Sequence, residues 1–391
     1  MRILWLTQGV TGHDRRFTTL LAGAGHDVRY LALDDVPDAP LPEGVRREAW
    51  EERPAGDART PEGAEALLPA FRRVLERVRP DAVHAGPVPT GGFLAALADV
   101  RPRLVMSWGS DVLVEAQQGP AWRFATHTAL DGADRFVCDC HTVLFRAREY
   151  AAIADENVVM LPWGTDPARF HPADRPSALR AELLGEDADD AFLVLCTRSW
   201  EPVYGIDTLV EGFRRAWEKE PRLRLVLAGG GSLAGEVDGW IRDAGIADAV
   251  VRPGAIGHDR LPEWFRAADL YASCAHSDGT SVSLLEAMAS ALPVLVTDIP
   301  SNREWVEPGE NGWLAPSGDA AAVASALVDA AALDAGGRRA IGRRNREIVE
   351  VRADWGVNGA RLLEAYDALA TVAGRADADA VLPLPGQGVT S

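Results

Sequence analysis

The sequence predicts an α/β protein made of two doubly wound parallel-sheet domains. Three observations carry that reading. Short apolar runs alternate with longer amphipathic segments, the pattern of a parallel sheet wrapped by helices. A prolyl, turn-rich stretch over 162–176 interrupts the alternation, and a second alternating series follows it. The length of 391 residues is more than twice the roughly 150 residues of a typical domain.

The elements follow in order. In the first half, strands are expected at 2–7, 27–33, 81–85, 103–107, 134–138 and 157–161. Helices are expected between them near 14–24, 61–78, 90–99, 119–131 and 141–152. After the prolyl stretch, strands are expected near 191–197, 222–228, 248–251, 269–273 and 293–297. The helix at 205–219 sets Ile206, Leu209, Val210, Phe213 and Trp217 on one face at a 3.6-residue period. A helix near 260–268 repeats this with Leu261, Trp264, Phe265 and Ala268. Helices near 319–334, 337–351 and 353–374 follow, and residues 376–391 are expected to form a flexible tail.

Composition excludes several functions. Residues are 47% apolar and 25% charged, ordinary for a folded protein. A formal charge of −18 repels phosphate backbones and anionic headgroups, so no nucleic-acid partner is expected. No run of 18 apolar residues occurs, so no transmembrane segment is expected. The first strand is too short for a secretory leader, and four cysteines in so long a chain fit a cytoplasmic protein. Lys219 is the only lysine, and with no Gly-x4-Gly-Lys-Ser/Thr loop, phosphate-loop chemistry is excluded. Cys138-Asp-Cys140-His141 has Cys-x-Cys spacing and no partner cluster, so no metal site is assigned.

The most informative stretch runs from Ser277 to Asp298. It follows a strand, turns at Asp278-Gly279, and opens a helix near Thr280 or Ser281. Free N–H groups at a helix start attract phosphate, and small residues allow close approach. Asp278 and Glu286 are eight residues apart, about 12 Å if all were helical. That matches the reach of a nucleoside-diphosphate sugar, one carboxylate on each side of the diphosphate. By themselves the same residues also fit an N-cap Asp278 and a partly exposed helical Glu286.

This stretch resembles the Glu-x7-Glu signature of the retaining family 4 glycosyltransferases (glycosyl transferases group 1), which have the GT-B fold. Other motifs match in the family's order: Ala228-Gly-Gly-Gly-Ser232, Val251-Arg-Pro-Gly254, Ala268-Asp-Leu270 and Glu310-Asn-Gly312. Asp81-Ala-Val-His84, Trp108-Gly-Ser-Asp111 and Pro162-Trp-Gly-Thr-Asp166 add to them, and the resemblance spans roughly 1–370. It implies two facing Rossmann-like domains with a ligand cleft between them. Residues 1–165 would form the acceptor side, with the helix at 353–374 packing back onto it, and 166–352 the donor domain. It also implies a retaining, metal-independent transfer of sugar from a nucleoside-diphosphate sugar to a hydroxyl-bearing acceptor, with no cofactor.

Residue by residue, the resemblance places Glu286 at the donor ribose and Gly279, Thr280, Ser281 and Val282 in the phosphate and sugar loop. Asp278 stands where the family has its first glutamate. Arg198 matches the arginine that grips the diphosphate, and a guanidinium there stabilises charge developing on the leaving group. Arg198, Asp278 and Glu286 form the expected catalytic set, with Gly230 and Gly254 on the donor side. Tyr204 replaces a customary lysine and offers one hydrogen bond without charge. Trp108 replaces a frequent histidine.

The loop after the first strand, Gln8 to His13, lacks a complete glycine fingerprint; Gly9 and Gly12 in it are expected to let backbone approach the donor phosphates or the acceptor. His13, His84, Trp108 and Asp111 are assigned to the acceptor side. Helix-start duty for His13, a core position for His84 and an Asx turn for Asp111 fit the same residues. Two other functions fit the same fold: a nucleotide-sugar 2-epimerase, and a non-catalytic nucleotide-sugar-binding subunit.

Overall fold

A computed structural model describes residues 1–34, 39–172 and 177–379, the last ten as helical backbone only. Residues 173–176 of the prolyl stretch and 380–391 of the expected tail lie outside the described residues. The chain forms two compact units. The first comprises Met1–Cys138, Leu144–Leu161 and the chain from Gly359 onward; the second comprises Asp139–Val143 and Pro162–Asn358.

The first unit is built on seven strands: β1 (Arg2–Thr7), β2 (Asp27–Ala32), β3 (Val45–Arg47), β4 (Ala82–Ala85), β5 (Arg103–Met106), β6 (Arg135–Cys138) and β7 (Val158–Met160). They pair in the order β3-β2-β1-β4-β5-β6-β7, every neighbour parallel. Alternate residues of β1 enter opposite layers. Leu4 and Leu6 join Phe71 and Val74, whereas Trp5 stacks with Phe17 and His84 on the other side. The helix expected at 14–24 begins earlier, at Gly12. Thr11 and Asp14 form a reciprocal capping box there, which satisfies two donors at the helix start.

The single helix expected over 61–78 is two helices, Pro61–Ala66 and Leu68–Val78. Pro69 has no amide with which to carry the first into the second. The expected helix at 90–99 is a π-helical turn, Val88–Gly92, followed by Phe93–Leu97. The last helix, Trp355–Asp379, buries Leu362, Tyr366 and Leu369 in the first unit.

The second unit holds β8 (Phe192–Cys196), β9 (Leu223–Ala228), β10 (Val250–Gly254), β11 (Leu270–Ser273), β12 (Val294–Thr297) and β13 (Gly312–Ala315). Their order is β10-β9-β8-β11-β12-β13, again with parallel pairing throughout. The order reverses between β8 and β11, and such a switch point opens a crevice at the carboxyl ends of the two strands. Helix Ile206–Trp217 buries Ile206, Leu209, Val210 and Phe213 against the sheet. The opposite layer is closed by Leu284, Leu285 and Met288 of helix Val282–Ala289.

The elements that carry little sequence signal include β3, β13, and helices Ala178–Leu184 and Ala234–Asp243. β3 is a three-residue edge strand, Val-Arg-Arg. The first of the two helices buries no residue fully, and the second only Val237 and Ile241. β10 extends to Gly254, beyond the expected end at 251, through a register shift against β9. Among the described residues no single helix is long and apolar enough to cross a membrane.

Candidate active site

Arg198 stands two residues beyond the end of β8, and Asp278 lies in the loop after β11, so the switch point of the second sheet brings them together. Arg198 Nη2 lies 2.8 Å from Asp278 Oδ2. Its Nη1 donates to Ser281 Oγ at 2.8 Å and to Ser283 Oγ at 3.4 Å. The guanidinium rests on the Tyr204 ring, 4.0 Å from its centroid, a cation–π contact. Arg198 Nε is buried and has no acceptor.

Local sequence explains this arrangement. Tyr204 is carried by a turn that ends at Gly205, in the left-handed region at φ +58. A Cβ on Gly205 would stand 2.2 Å from the Cys274 carbonyl oxygen, so glycine lets this turn lie against the end of β11. Ser281 is the N-cap of helix Val282–Ala289, its Oγ accepting from the Leu284 amide at 3.4 Å. The helix thus starts beyond Asp278, and the fully helical 12 Å span does not apply. At that start the amides of Val282 and Ser283 have no intrahelical acceptor. Ser283 Oγ also bonds the Tyr271 hydroxyl at 2.8 Å.

Burial opposes charge on Arg198, yet Asp278 together with Tyr271, Tyr204 and Cys196 holds the guanidinium's pKa above its ordinary value. Burial raises the Asp278 carboxyl, while Arg198 and the Gly279 amide pull it down. Glu286, four residues into the same helix, is buried, with Oε1 3.3 Å from Nε2 of the exposed His258. Gly230 and Gly254 follow β9 and end β10, the next strands of the same sheet edge, and the Gly254 carbonyl accepts from the Gly229 amide at 2.8 Å.

Thr280 is where the loop differs from expectation. Its amide donates to Asp139 Oδ2 at 2.7 Å, and its hydroxyl donates to the Asp139 carbonyl at 2.8 Å. With both groups spent and the residue buried, Thr280 anchors the loop and has no donor left for a phosphate. Ser281 divides its hydroxyl between capping the helix and receiving Arg198.

In the first unit, Gly12 and His13 open the helix after β1, and the His13 ring lies 5.7 Å from the Trp108 ring. Two acceptor-side assignments are corrected. His84 is wholly buried, stacked on Trp5 with ring centroids 4.0 Å apart, and its Nδ1 pairs with the Tyr366 hydroxyl. Burial lowers its pKa to about 3, which keeps it neutral in the core. Asp111 is also buried. Its oxygens accept from Ser107 Oγ and from the amides of Val88, Trp108 and Val112, at 2.7–3.0 Å. A carboxylate so occupied holds a turn together and is closed to an acceptor hydroxyl.

Three site residues escaped sequence reading: Asp139, His258 and Ser283. Asp139 carries a sequence signal only within a zinc-like spacing, and all four cysteines are buried free thiols. Ser283 carries a detectable signal, a second hydroxyl in the helix's first turn beside the N-cap. His258 carries none, since its pairing with Glu286 depends on the loop after β10.

Both halves of the chain resemble known proteins. Residues 185–347 match the model for glycosyl transferases group 1, and residues 9–164 match a glycosyl transferase 4-like domain. A D-inositol 3-phosphate glycosyltransferase of Streptomyces scabiei is 32% identical over 191 residues, 46% of this chain and 42% of that protein. A GDP-mannose-dependent alpha-(1-6)-phosphatidylinositol monomannoside mannosyltransferase of Mycobacterium tuberculosis is 27% identical over 293 residues, 70% of this chain and 74% of that protein. Against the Streptomyces protein and a mannosylfructose-phosphate synthase of Agrobacterium fabrum, the chain spans less than half the relative's length.

Among solved structures, a sucrose-phosphate synthase from Thermosynechococcus elongatus superposes with a TM-score of 0.81 at 20% identity, covering 95% of this chain and all of that one. Anabaena HepE in complex with UDP-glucose gives 0.76 at 17%, covering 94% of this chain and 100% of that one. These likenesses are of fold, two parallel sheets with helices in the GT-B arrangement. With both halves matched in order, the chain belongs to the group 1 glycosyltransferases.

Proposed function

We propose that the protein is a retaining, metal-independent glycosyltransferase that moves a sugar from a nucleoside-diphosphate sugar to a hydroxyl of a small-molecule, glycan or lipid-linked acceptor. One observation carries this reading. Arg198 stands at the first turn of helix Val282–Ala289 with its Nε buried and unsatisfied, a cost that an anionic ligand removes. A diphosphate there receives the guanidinium together with the Val282 and Ser283 amides, three donors converging on one anion. Glu286, deeper in the helix, takes the ribose hydroxyls in place of His258.

The chemistry follows from these positions. As the bond from the sugar's anomeric carbon to the diphosphate breaks, negative charge grows on the leaving oxygen, and Arg198 stabilises it. Asp278, held 2.8 Å from Arg198, is a poor nucleophile while its charge is matched. The acceptor hydroxyl therefore attacks on the face the diphosphate leaves, and the departing phosphate oxygen takes its proton. Tyr204 adds no charge but supports the guanidinium from below through its ring face. The relatives support a nucleotide-sugar donor, since one is named as GDP-mannose-dependent and one neighbour holds UDP-glucose.

The test is calorimetry with UDP, GDP and ADP, then transfer from the corresponding sugars in EDTA, with the product anomer read by NMR. Tight binding of one nucleotide and retention of configuration are expected. An inverted product, activity only with added metal, or conversion of donor to an epimer without acceptor would overturn the reading. Nucleotide binding with no transfer to any acceptor would identify a binding subunit.

A further inference from the structure

Asp139 is a buried carboxylate that neither the sequence motifs nor the relatives' names account for. It follows β6 directly yet belongs to the second unit, against the loop after β11. Oδ2 receives the Thr280 amide at 2.7 Å, and the backbone carbonyl receives the Thr280 hydroxyl at 2.8 Å. Oδ1 is buried with no partner. The carboxyl lies so close to Gly279 that a Cβ there would meet Oδ2 at 2.5 Å and Oδ1 at 2.9 Å.

The consequence lies in what the loop does on either side. Residues Asp278 to Ser281 form a short bridge whose two ends hold the two Nη atoms of Arg198, at Asp278 Oδ2 and Ser281 Oγ. Asp139 grips the middle of that bridge through Gly279 and Thr280. A bridge clamped at its centre keeps both ends in place when a ligand competes for the guanidinium, so the loop does not reorganise on binding.

We infer that Asp139 is a positioning residue for the donor site: it clamps Gly279-Thr280 and so presents Asp278, Ser281 and the helix start in the geometry that binds the donor diphosphate. The inference rests on reading this loop as the diphosphate site. Asp139 touches no substrate, so its effect falls on donor affinity and leaves the bond-breaking step near its original rate. The clamp needs an acceptor for the Thr280 amide and does not need charge. Asparagine therefore replaces it, and removes a like charge near Asp278.

The experiment compares wild type, D139A, D139N and T280V by calorimetry with the nucleoside diphosphate that wild type binds, and by donor KM and kcat. D139A leaves a buried amide unpaired and is expected to raise donor Kd and KM by about tenfold or more, with kcat within about threefold. D139N is expected to recover most of that loss. T280V, which removes only the hydroxyl bond, is expected to raise KM about threefold.

A folded D139A with wild-type donor affinity overturns the inference, as does a D139N no better than D139A, or a loss confined to kcat. Should D139A give no cooperative melt, T280V decides alone: a raised KM supports the clamp, and an unchanged one overturns it. If wild type binds none of UDP, GDP and ADP, the diphosphate reading itself fails, a result distinct from any difference among the variants.

Discussion

Arg198 and Asp278 form the central pair of the candidate site: 2.8 Å apart, joined across the switch point of the second sheet, with Tyr204 under the guanidinium and its Nε unsatisfied. An ion pair poised this way is bonded strongly enough to stay ordered and incompletely enough to accept a further anion. Lysine is not equivalent, because a point charge on a flexible stem cannot serve Asp278, Ser281 and Ser283 in one plane. Arg198→Lys is expected to lower kcat/KM by at least about 100-fold, in the range seen for loss of an anion-stabilising donor. Its melting temperature should stay within a few degrees of wild type, checked by scanning calorimetry.

Glu286 is buried with Oε1 facing His258 at 3.3 Å. If it holds the ribose, Glu286→Gln keeps its shape but weakens the hydrogen bonds it accepts. Nucleotide affinity should fall about tenfold, the worth of one charge-assisted bond. His258→Ala, at an exposed position, should change stability little and leave Glu286 available. Calorimetric titration of both variants checks this, and the assignment fails if Glu286→Gln binds nucleotide as wild type does.

Gly279 has no room for a methyl group. Gly279→Ala drives a Cβ into the Asp139 carboxyl, at 2.5 Å in the unrelaxed structure. A loss of about 1–3 kcal/mol is expected from overpacking. Combining it with Asp139→Ala should cost less than the sum of the two, since Asp139→Ala removes the carboxyl that the new Cβ meets. Urea denaturation of the four proteins measures the coupling.

Burial raises the Asp139 carboxyl to about 7 from an ordinary value of 3.8, with the Thr280 amide opposing it. Between those values the folded protein holds a proton that the unfolded chain has lost, so this residue makes stability fall as pH rises from about 4 to 7. His84 acts in the opposite sense. Burial lowers its pKa from 6.5 to about 3. The unfolded chain then binds the extra proton, and stability falls as pH drops from 6.5 toward 3. Melting curves from pH 4 to 8 should show a flatter decline toward pH 7 for Asp139→Asn than for wild type. An unchanged pH dependence would show that Asp139 does not titrate in this range.

Much of the fold was legible because its signals are local. The continuous apolar runs of β1 and β8 announce buried strands, and the one-sided face of helix Ile206–Trp217 announces itself at a period of 3.6. The capping pair Thr11–Asp14, seen only in the structure, moves the helix start to Gly12. β3 was hidden because an edge strand with one apolar residue has no pattern. Its identity comes from pairing with β2.

The site divides in the same way. Arg198, Asp278 and Glu286 follow recognisable strands or lie on a recognisable helix, and the resemblance to the family 4 signature, rather than their spacing alone, singles them out. Their partners were not legible. Asp139 meets Thr280 from 141 positions away, and His84 meets Tyr366 across 282. Sequence alone determined that two parallel sheets form and which charged residues follow their strands. Tertiary structure decided which of the polar residues stand at the candidate site and which are spent inside. Hydrogen-bond satisfaction on burial is settled by neighbours in space, and it made Asp111, His84 and Thr280 parts of the scaffold.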